Sequence, residues 1–416
     1  MDFDVQASFD RVVRALSPAL DIVAGRVDDA RVPAWCRARG WSEFLLGLSE
    51  QELERCEAEG LAFVGALPGM PHDLAELAAR VRELSDLPRL EASSAIGDAE
   101  GYRGVSLRKR GQLSSLLGAL PKLAAPAKRI VDVGAGSGHF TRLAASHFSR
   151  AALGLERNPE RVESATARAR ADRGAAPFWA EFVVIDAGRE PLRLLSDDLA
   201  IGLHACGELG DALVSAVGAS GADLALVSCC LQKISTPVRA PLSKRGLAFA
   251  REILGLSNLT SQTWGVEAHI QIMLRAHQTR YALRGLLIAR GLDVSPGAEM
   301  RGINRRRANA GLLEIASSAL AARGLPPPTG AELSLHEQRA AREFGIVRRL
   351  SLPRNMLGRA VELGVVLDRA MHLHEIGYSV CVAALFERAL TPRNIALFAS
   401  RDGARLPRLR APGGAE

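Results

Sequence analysis

No charge-free apolar run of about 18 residues occurs in this 416-residue chain, so no membrane-spanning helix is expected. Met1-Asp2-Phe3-Asp4 has neither the basic start nor the apolar stretch of a secretory signal, and a soluble, cytoplasmic protein is the expectation. Cysteine is scarce: six residues, at 36, 56, 206, 229, 230 and 381, too scattered for a disulfide framework. No CxxC pair points to zinc, so no metal is expected and free buried thiols are. No internal repeat is visible. Lysine is missing from residues 1–100, where 10 Arg face 19 Asp and Glu for a net −9. Residues 237–352 invert the balance, with 17 Lys and Arg against 8 Asp and Glu for a net +9, so the overall +7 hides two opposed blocks. A basic segment suits a polyanionic partner, and an arginine-rich composition without that purpose is the competing reading. Hydrophobic content of 48% is ample for a core, and the length makes two or three units the natural organisation.

What is present is organised around Arg129–Phe140. The run Ile130-Val131-Asp132-Val133 breaks into Gly134, Gly136 and Gly138, and Thr141-Arg142-Leu143-Ala144-Ala145 then starts a helical pattern. Strand, glycine turn and helix in that order open a nucleotide-cradling βαβ unit. A dinucleotide fingerprint would put its third glycine where His139 stands. The D-x-G-x-G-x-G that is there instead resembles the first motif of class I S-adenosylmethionine methyltransferases. Ala151–Leu155 is a second strand ending in Glu156, twenty-two residues after Gly134, where a ribose-binding carboxylate belongs. Phe182–Ile185 is a third strand tipped by Asp186; the resemblance gives that acid to the adenine amino group. S-adenosyl-L-methionine is thus the expected cofactor, bound by Gly134, Gly136, Gly138, Glu156 and Asp186, with Asp132 supporting the turn.

The expected organisation follows from these anchors. Residues 1–100 read as an acidic helical accessory region, with a capping box at Ser49-Glu50-Gln51-Glu52 and an apolar face of Leu74, Leu77, Val81 and Leu84. Residues 101–236 read as the α/β core. Tyr102–Arg110 is a basic bridge into it, either touching a substrate backbone or forming a solvated helix face. A fourth strand, Leu199–Leu203, runs into His204-Ala205-Cys206-Gly207, and a fifth, Asp223–Ser228, into Cys229-Cys230. Residues 237–352 read as a basic helical insertion with a hinge at Leu325–Gly330. Residues 353–402 supply a helix and a last strand pair joined by a turn containing Pro392, and 403–416 a tail.

Several stretches carry a resemblance to one family: G-L-H-A-C-G-E-L at 202–209, S-C-C-L at 228–231, V-E-L-G-V-V-L-D-R at 361–369, H-E-I-G-Y at 374–378 and T-P-R-N-I-A-L at 391–397. They resemble the methyltransferase-like protein 25 family, itself similar to the tRNA acceptor-stem 2′-O-methyltransferases. The similarity covers about residues 102–400 and lacks the zinc-binding cysteine modules of the acceptor-stem enzymes. It implies an α/β, Rossmann-like class I fold with a seven-stranded doubly wound sheet, and methyl transfer as the activity.

Ligands of open parallel sheets bind beyond the carboxyl ends of the strands, so His204, Cys206, Cys229 and Cys230 fall on the reactive rim. His204 stands where such enzymes hold a substrate-facing residue: a neutral imidazole there takes a proton, or else shapes the turn. Cys206 and Cys229 share the topology of the paired cysteines of RNA cytosine-C5 methyltransferases. No Asp-Ala-Pro precedes Cys206 and no Thr precedes Cys229, so packing under the cofactor is the expected role. RNA is the expected acceptor, with Arg301, Arg305, Arg306 and Arg307 on phosphates. A protein or small-molecule acceptor, or a non-catalytic cofactor-binding module, stay open beside it. No N/D-P-P-Y/F motif points to adenine amino groups. No membrane partner is expected, and the oligomeric state is left open.

Overall fold

The computed structural model describes residues 3–65, 67–90, 102, 105–172, 179–258, 267–387, 390–391 and 393–410. Arg103 and Gly104 of the basic bridge and Pro392 of the last turn lie outside the described residues. Contacts divide the chain into two units: residues 1–18, 80–261 and 357–416, and residues 19–79 with 262–356.

The first unit is built on one sheet. Its strands are β1 Arg129–Val133, β2 Ala151–Glu156, β3 Ala180–Val184, β4 Asp198–Leu203, β5 Asp223–Val227, β6 Ser379–Ala384 and β7 Ile395–Ser400. They stand in the order β6-β7-β5-β4-β1-β2-β3. All neighbours from β5 to β3 are parallel, whereas β7 runs antiparallel to both β5 and β6. β1, β4 and β5 read as almost unbroken apolar runs because helices cover both faces, and Ile130, Val131, Leu199, Ile201 and Leu224 are all buried. The order reverses between β1 and β4, which makes their carboxyl ends the natural ligand crevice.

Two features depart from expectation. The sheet has nine strands rather than seven, because Arg89–Leu90 and Leu409–Arg410 add two short edge strands beyond β6. A two-residue strand has no periodicity to read, so residues 80–90 and 403–410 looked like helix end and tail. The acidic block and the basic insertion also do not stay apart. Helix α1 (Val5–Leu16) packs in the first unit against the last helix, Gly358–Glu375, and residues 237–261 belong there too.

The second unit joins residues 19–79 to the helices Glu267–Ala289, Leu312–Ala321 and Gly330–Met356. Leu283, Leu286, Leu287, Ile315, Ala319 and Leu320 form its apolar centre. The opposed charges meet here: Arg348 binds Glu57 at 2.6 Å and Arg349 binds Glu50 at 2.7 Å. Arg284 bonds the Asp28 carbonyl, and Gln271 the Glu54 carboxylate at 3.0 Å. The capping box forms as expected, with Ser49 and Glu52 exchanging hydrogen bonds. Among the described residues no helix is long and apolar enough to cross a membrane.

Candidate active site

The turn after β1 is left-handed at Gly134, Gly136 and Gly138, and helix α2 (His139–Phe148) starts directly from it. The Gly134 and Ala135 amides both donate to the Leu155 carbonyl, so β2 fixes the turn from the side. Glu156, at the tip of β2, is buried to 8% exposure and accepts from the Gly136 amide at 2.9 Å and the Asn158 amide at 3.1 Å. Each carboxylate oxygen so engaged keeps a lone pair for a hydroxyl pair. An added Cβ on Gly136 would find nothing nearer than the Gly134 carbonyl at 3.9 Å, so the protein leaves that face of the loop open. That open face and the acid beside it suit the ribose end of a nucleoside ligand.

Asp132 lies beneath the loop. Its carboxylate accepts from the Thr141 hydroxyl at 2.6 Å, and burial pushes its pKa up to about 6. It braces the first turn of α2 from below. Asp186 sits two residues past β3 in a tight turn, accepting from the Gly188 amide at 3.2 Å, half-exposed at the sheet's carboxyl edge.

The loops after β4 and β5 form the adjoining part of the rim. His204 has φ +69°, a left-handed conformation uncommon for a residue with a side chain, and its amide donates to the Val227 carbonyl at 2.8 Å. Its Nε2 stands 3.4 Å from Gln112 Oε1, while Nδ1 is buried without a hydrogen-bond partner. Burial, and then the charges of Lys109, Arg108 and Arg393, push its pKa down to about 4. Arg369, itself wholly buried, holds both loops: it donates to the Ser228 hydroxyl at 2.5 Å and the Gly207 carbonyl at 2.8 Å. Asp211 anchors Arg369 at 2.8 Å. Arg393 reaches over from the turn before β7 to the Cys229 carbonyl.

The structure therefore brings Gly134, Gly136, Gly138, Glu156, Asp132 and His204 to one end of the sheet, where β1, β2 and β4 finish, and Asp186 lies just past β3 at the same edge. Arg301, Arg305, Arg306 and Arg307 belong to the second unit, exposed on and beside the short helix Arg305–Ala310, where Arg307 is paired with Glu314. Gln112, Arg369 and Arg393 escaped the sequence reading as site residues. Only the V-E-L-G-V-V-L-D-R stretch ending at Arg369 and the T-P-R-N stretch holding Arg393 carried any signal for them, and that signal was the resemblance. The rim cysteines also differ from buried free thiols: all three are half-exposed, and Cys206 and Cys229 are bridged.

Residues 110–237 match the model of a family described as a methyltransferase domain. Among solved structures, the YcgJ protein of Bacillus subtilis matches at 27% identity over 27% of this chain and 49% of that one, with TM-score 0.23. Magnesium protoporphyrin IX methyltransferase from Synechocystis, with bound SAH, matches at 16% identity over 32% and 60%, with TM-score 0.25. Phosphoethanolamine N-methyltransferase 1 of Haemonchus contortus matches at 20% identity over 31% and 27%, with TM-score 0.23. The chain spans about half the length of the first of these and three fifths of the second. The fold assignment rests instead on the strand order and the family match. On those and its first motif, segment 110–237 is a methyltransferase domain with the class I, Rossmann-like fold, and its cofactor is S-adenosylmethionine.

Proposed function

We propose that the chain methylates RNA. The observation that supports RNA over other acceptors is the set of three cations, Arg108, Lys109 and Arg393, whose charges act on His204 at the rim. Arg108 and Lys109 open the helix Leu107–Ala119, and Arg108 also contacts Thr391 at 3.4 Å. Positive charge acting on the rim favours an acceptor that carries its own negative charge, as each nucleotide does. The resemblance to the methyltransferase-like protein 25 family supports methyl transfer and names no acceptor.

In this reading Glu156 takes the ribose hydroxyls, Asp186 the adenine amino group, and the open face at Gly136 the body of the cofactor. Bound S-adenosylmethionine supplies an electrophilic methyl on a sulfonium. His204 orients the acceptor and receives its proton. Arg108, Lys109 and Arg393 hold the adjoining phosphate. On the second unit, Arg301, Arg305 and Arg306 are the phosphate contacts of this reading, Arg307 being engaged by Glu314. A cytoplasmic location belongs to the same reading.

The test is labelled methyl transfer into total RNA and, separately, total protein from cells lacking the gene. Label should enter RNA. The double substitution Arg108→Ala/Lys109→Ala should cut it at least tenfold while calorimetry shows cofactor affinity within about twofold of wild type. Label in protein alone, or full RNA labelling by the double variant, would overturn the reading.

A further inference from the structure

Of the six cysteines, Cys36, Cys56 and Cys381 are buried free thiols. The rim trio is arranged differently. The Sγ atoms of Cys206, Cys229 and Cys230 all lie within 4.8 Å of one another, although they come from two strand ends separated by a helix. The fold works to bring them together. His204 and Gly207 both take left-handed backbone in the turn carrying Cys206, and a side chain at Gly207 would collide with the Lys233 carbonyl. Arg369 fastens that turn and the Ser228 end of β5 to one guanidinium.

Cys206 and Cys229 are bridged here, with Cα atoms 5.4 Å apart. A bridge uses two thiols, yet a third is held in the cluster. The Cys230 amide points at Cys206 Sγ from 3.5 Å, and Arg393 Nη1 stands 3.8 Å from Cys230 Sγ. One N–H and one cation directed at sulfur are surroundings that steady metal-bound thiolates, beside the His204 carbonyl, which lies 3.0 Å from Cys206 Sγ and 3.7 Å from Cys229 Sγ. Three thiolates on a divalent ion carry a net charge of −1, which the Arg393 guanidinium matches. With zinc–sulfur bonds of about 2.3 Å, tetrahedral sulfur ligands stand about 3.8 Å apart, a separation the cluster can provide.

We propose that the reduced cluster binds one thiophilic divalent cation, Zn2+, through Cys206, Cys229 and Cys230, with water as the fourth ligand. A dithiol reductant supplies the two electrons and two protons that open the bridge and is itself oxidised to a disulfide. Zn2+ then displaces the three thiol protons to solvent. Soft thiolates select zinc over magnesium or calcium. The bound ion ties the carboxyl ends of β4 and β5 together beside His204. Nothing in this depends on RNA being the acceptor.

The test uses the full chain without RNA. After reduction with a phosphine and removal of metal, Co2+ is added anaerobically. One equivalent should bind, with the thiolate-to-cobalt absorption and the visible bands of tetrahedral Co2+, and Zn2+ should displace it. Cys206→Ser and Cys230→Ser should each weaken binding at least 100-fold against a chromogenic chelator. Loss of the cobalt bands from the reduced wild-type protein would overturn the proposal whatever the variants do. So would a folded Cys230→Ser protein with unchanged affinity, which would reduce the cluster to a redox pair.

Discussion

Gly136 and Gly138 share a left-handed backbone but not a reason for being glycine. At Gly138 an added Cβ would lie 2.5 Å from Phe182 Cζ and 2.9 Å from Ala165 Cβ, both inside the packed first unit. Gly138→Ala should therefore destabilise the fold by about 2–4 kcal/mol, overpacking added to the backbone cost. At Gly136 the nearest protein atom to the same Cβ is 3.9 Å away. Gly136→Ala should cost only about 1 kcal/mol of stability from its backbone, yet lower S-adenosylmethionine affinity at least tenfold. Thermal melts and isothermal titration of both variants separate the two; equal melting temperatures with equal loss of binding would refute the distinction. Glu156 predicts a third behaviour. Its carboxylate holds the Gly136 amide and, in the proposed reading, takes the ribose hydroxyls, so Glu156→Gln should weaken cofactor binding about 10- to 100-fold, the range of a lost charged hydrogen bond. These positions were readable because glycine spacing and a strand-tipping acid report backbone demands directly. The partner of His204 was not: Gln112 lies ninety-two residues away on another helix, and nothing local marks it.

Helices of the second unit are held by pairs that no local pattern announces. Arg348 sits on Gly330–Met356 and Glu57 on Glu50–Glu59, nearly three hundred residues apart, with side chains only 13% and 14% exposed. The sequence showed the two charge blocks but not that they meet, since ion pairing leaves no periodicity. Arg348→Ala leaves Glu57 partly buried without its partner and should cost about 1–3 kcal/mol, read as a shift of the urea midpoint. A midpoint within error of wild type would mean the pair is solvated and idle. On the helix Glu267–Ala289, His277 adds a pH dependence. Burial first, then Arg280 and Arg305, hold its pKa down to about 4, below the ordinary 6.5. The unfolded chain then takes up a proton at a higher pH than the folded one. The stability that the neutral imidazole contributes is complete above pH 6.5 and is lost as pH falls from 6.5 toward 4. Comparing wild type with His277→Gln isolates this contribution from the titrating carboxylates. The variant should lose less stability than wild type between pH 7 and pH 5, and parallel losses would show that His277 titrates normally.

For the molecule as a whole, the site-forming strands were legible, because β1, β2, β4 and β5 are apolar runs punctuated at their carboxyl ends by glycine, acid, histidine and cysteine, whereas their order in the sheet was implied only by the resemblance. Division into units was not, because chain segments far apart in sequence combine in each. That division changes what the net charge of +7 means. Part of the basic segment is neutralised inside the second unit by the carboxylates of Glu50, Glu57 and, at 4.0 Å from Arg284, Asp28, and Arg307 is matched by Glu314. Among the exposed cations that the RNA reading invokes are then the rim residues Arg108 and Lys109 and, on the second unit, Arg301, Arg305 and Arg306. Each phosphate contact on a single strand contributes about −0.7 to the slope of log affinity against log salt. Replacing Arg108 and Lys109 by alanine should flatten the slope by about 1.4, and replacing Arg301, Arg305 and Arg306 by about 2. Arg307→Ala alone should change it by less than about 0.7, because Glu314 already occupies that guanidinium. Filter-binding titrations with one single-stranded RNA from low to moderate salt measure all three. If only the rim pair flattens the slope, the second unit's arginines are not on the RNA path. If neither set does, the affinity is not electrostatic and the polyanion reading fails with it.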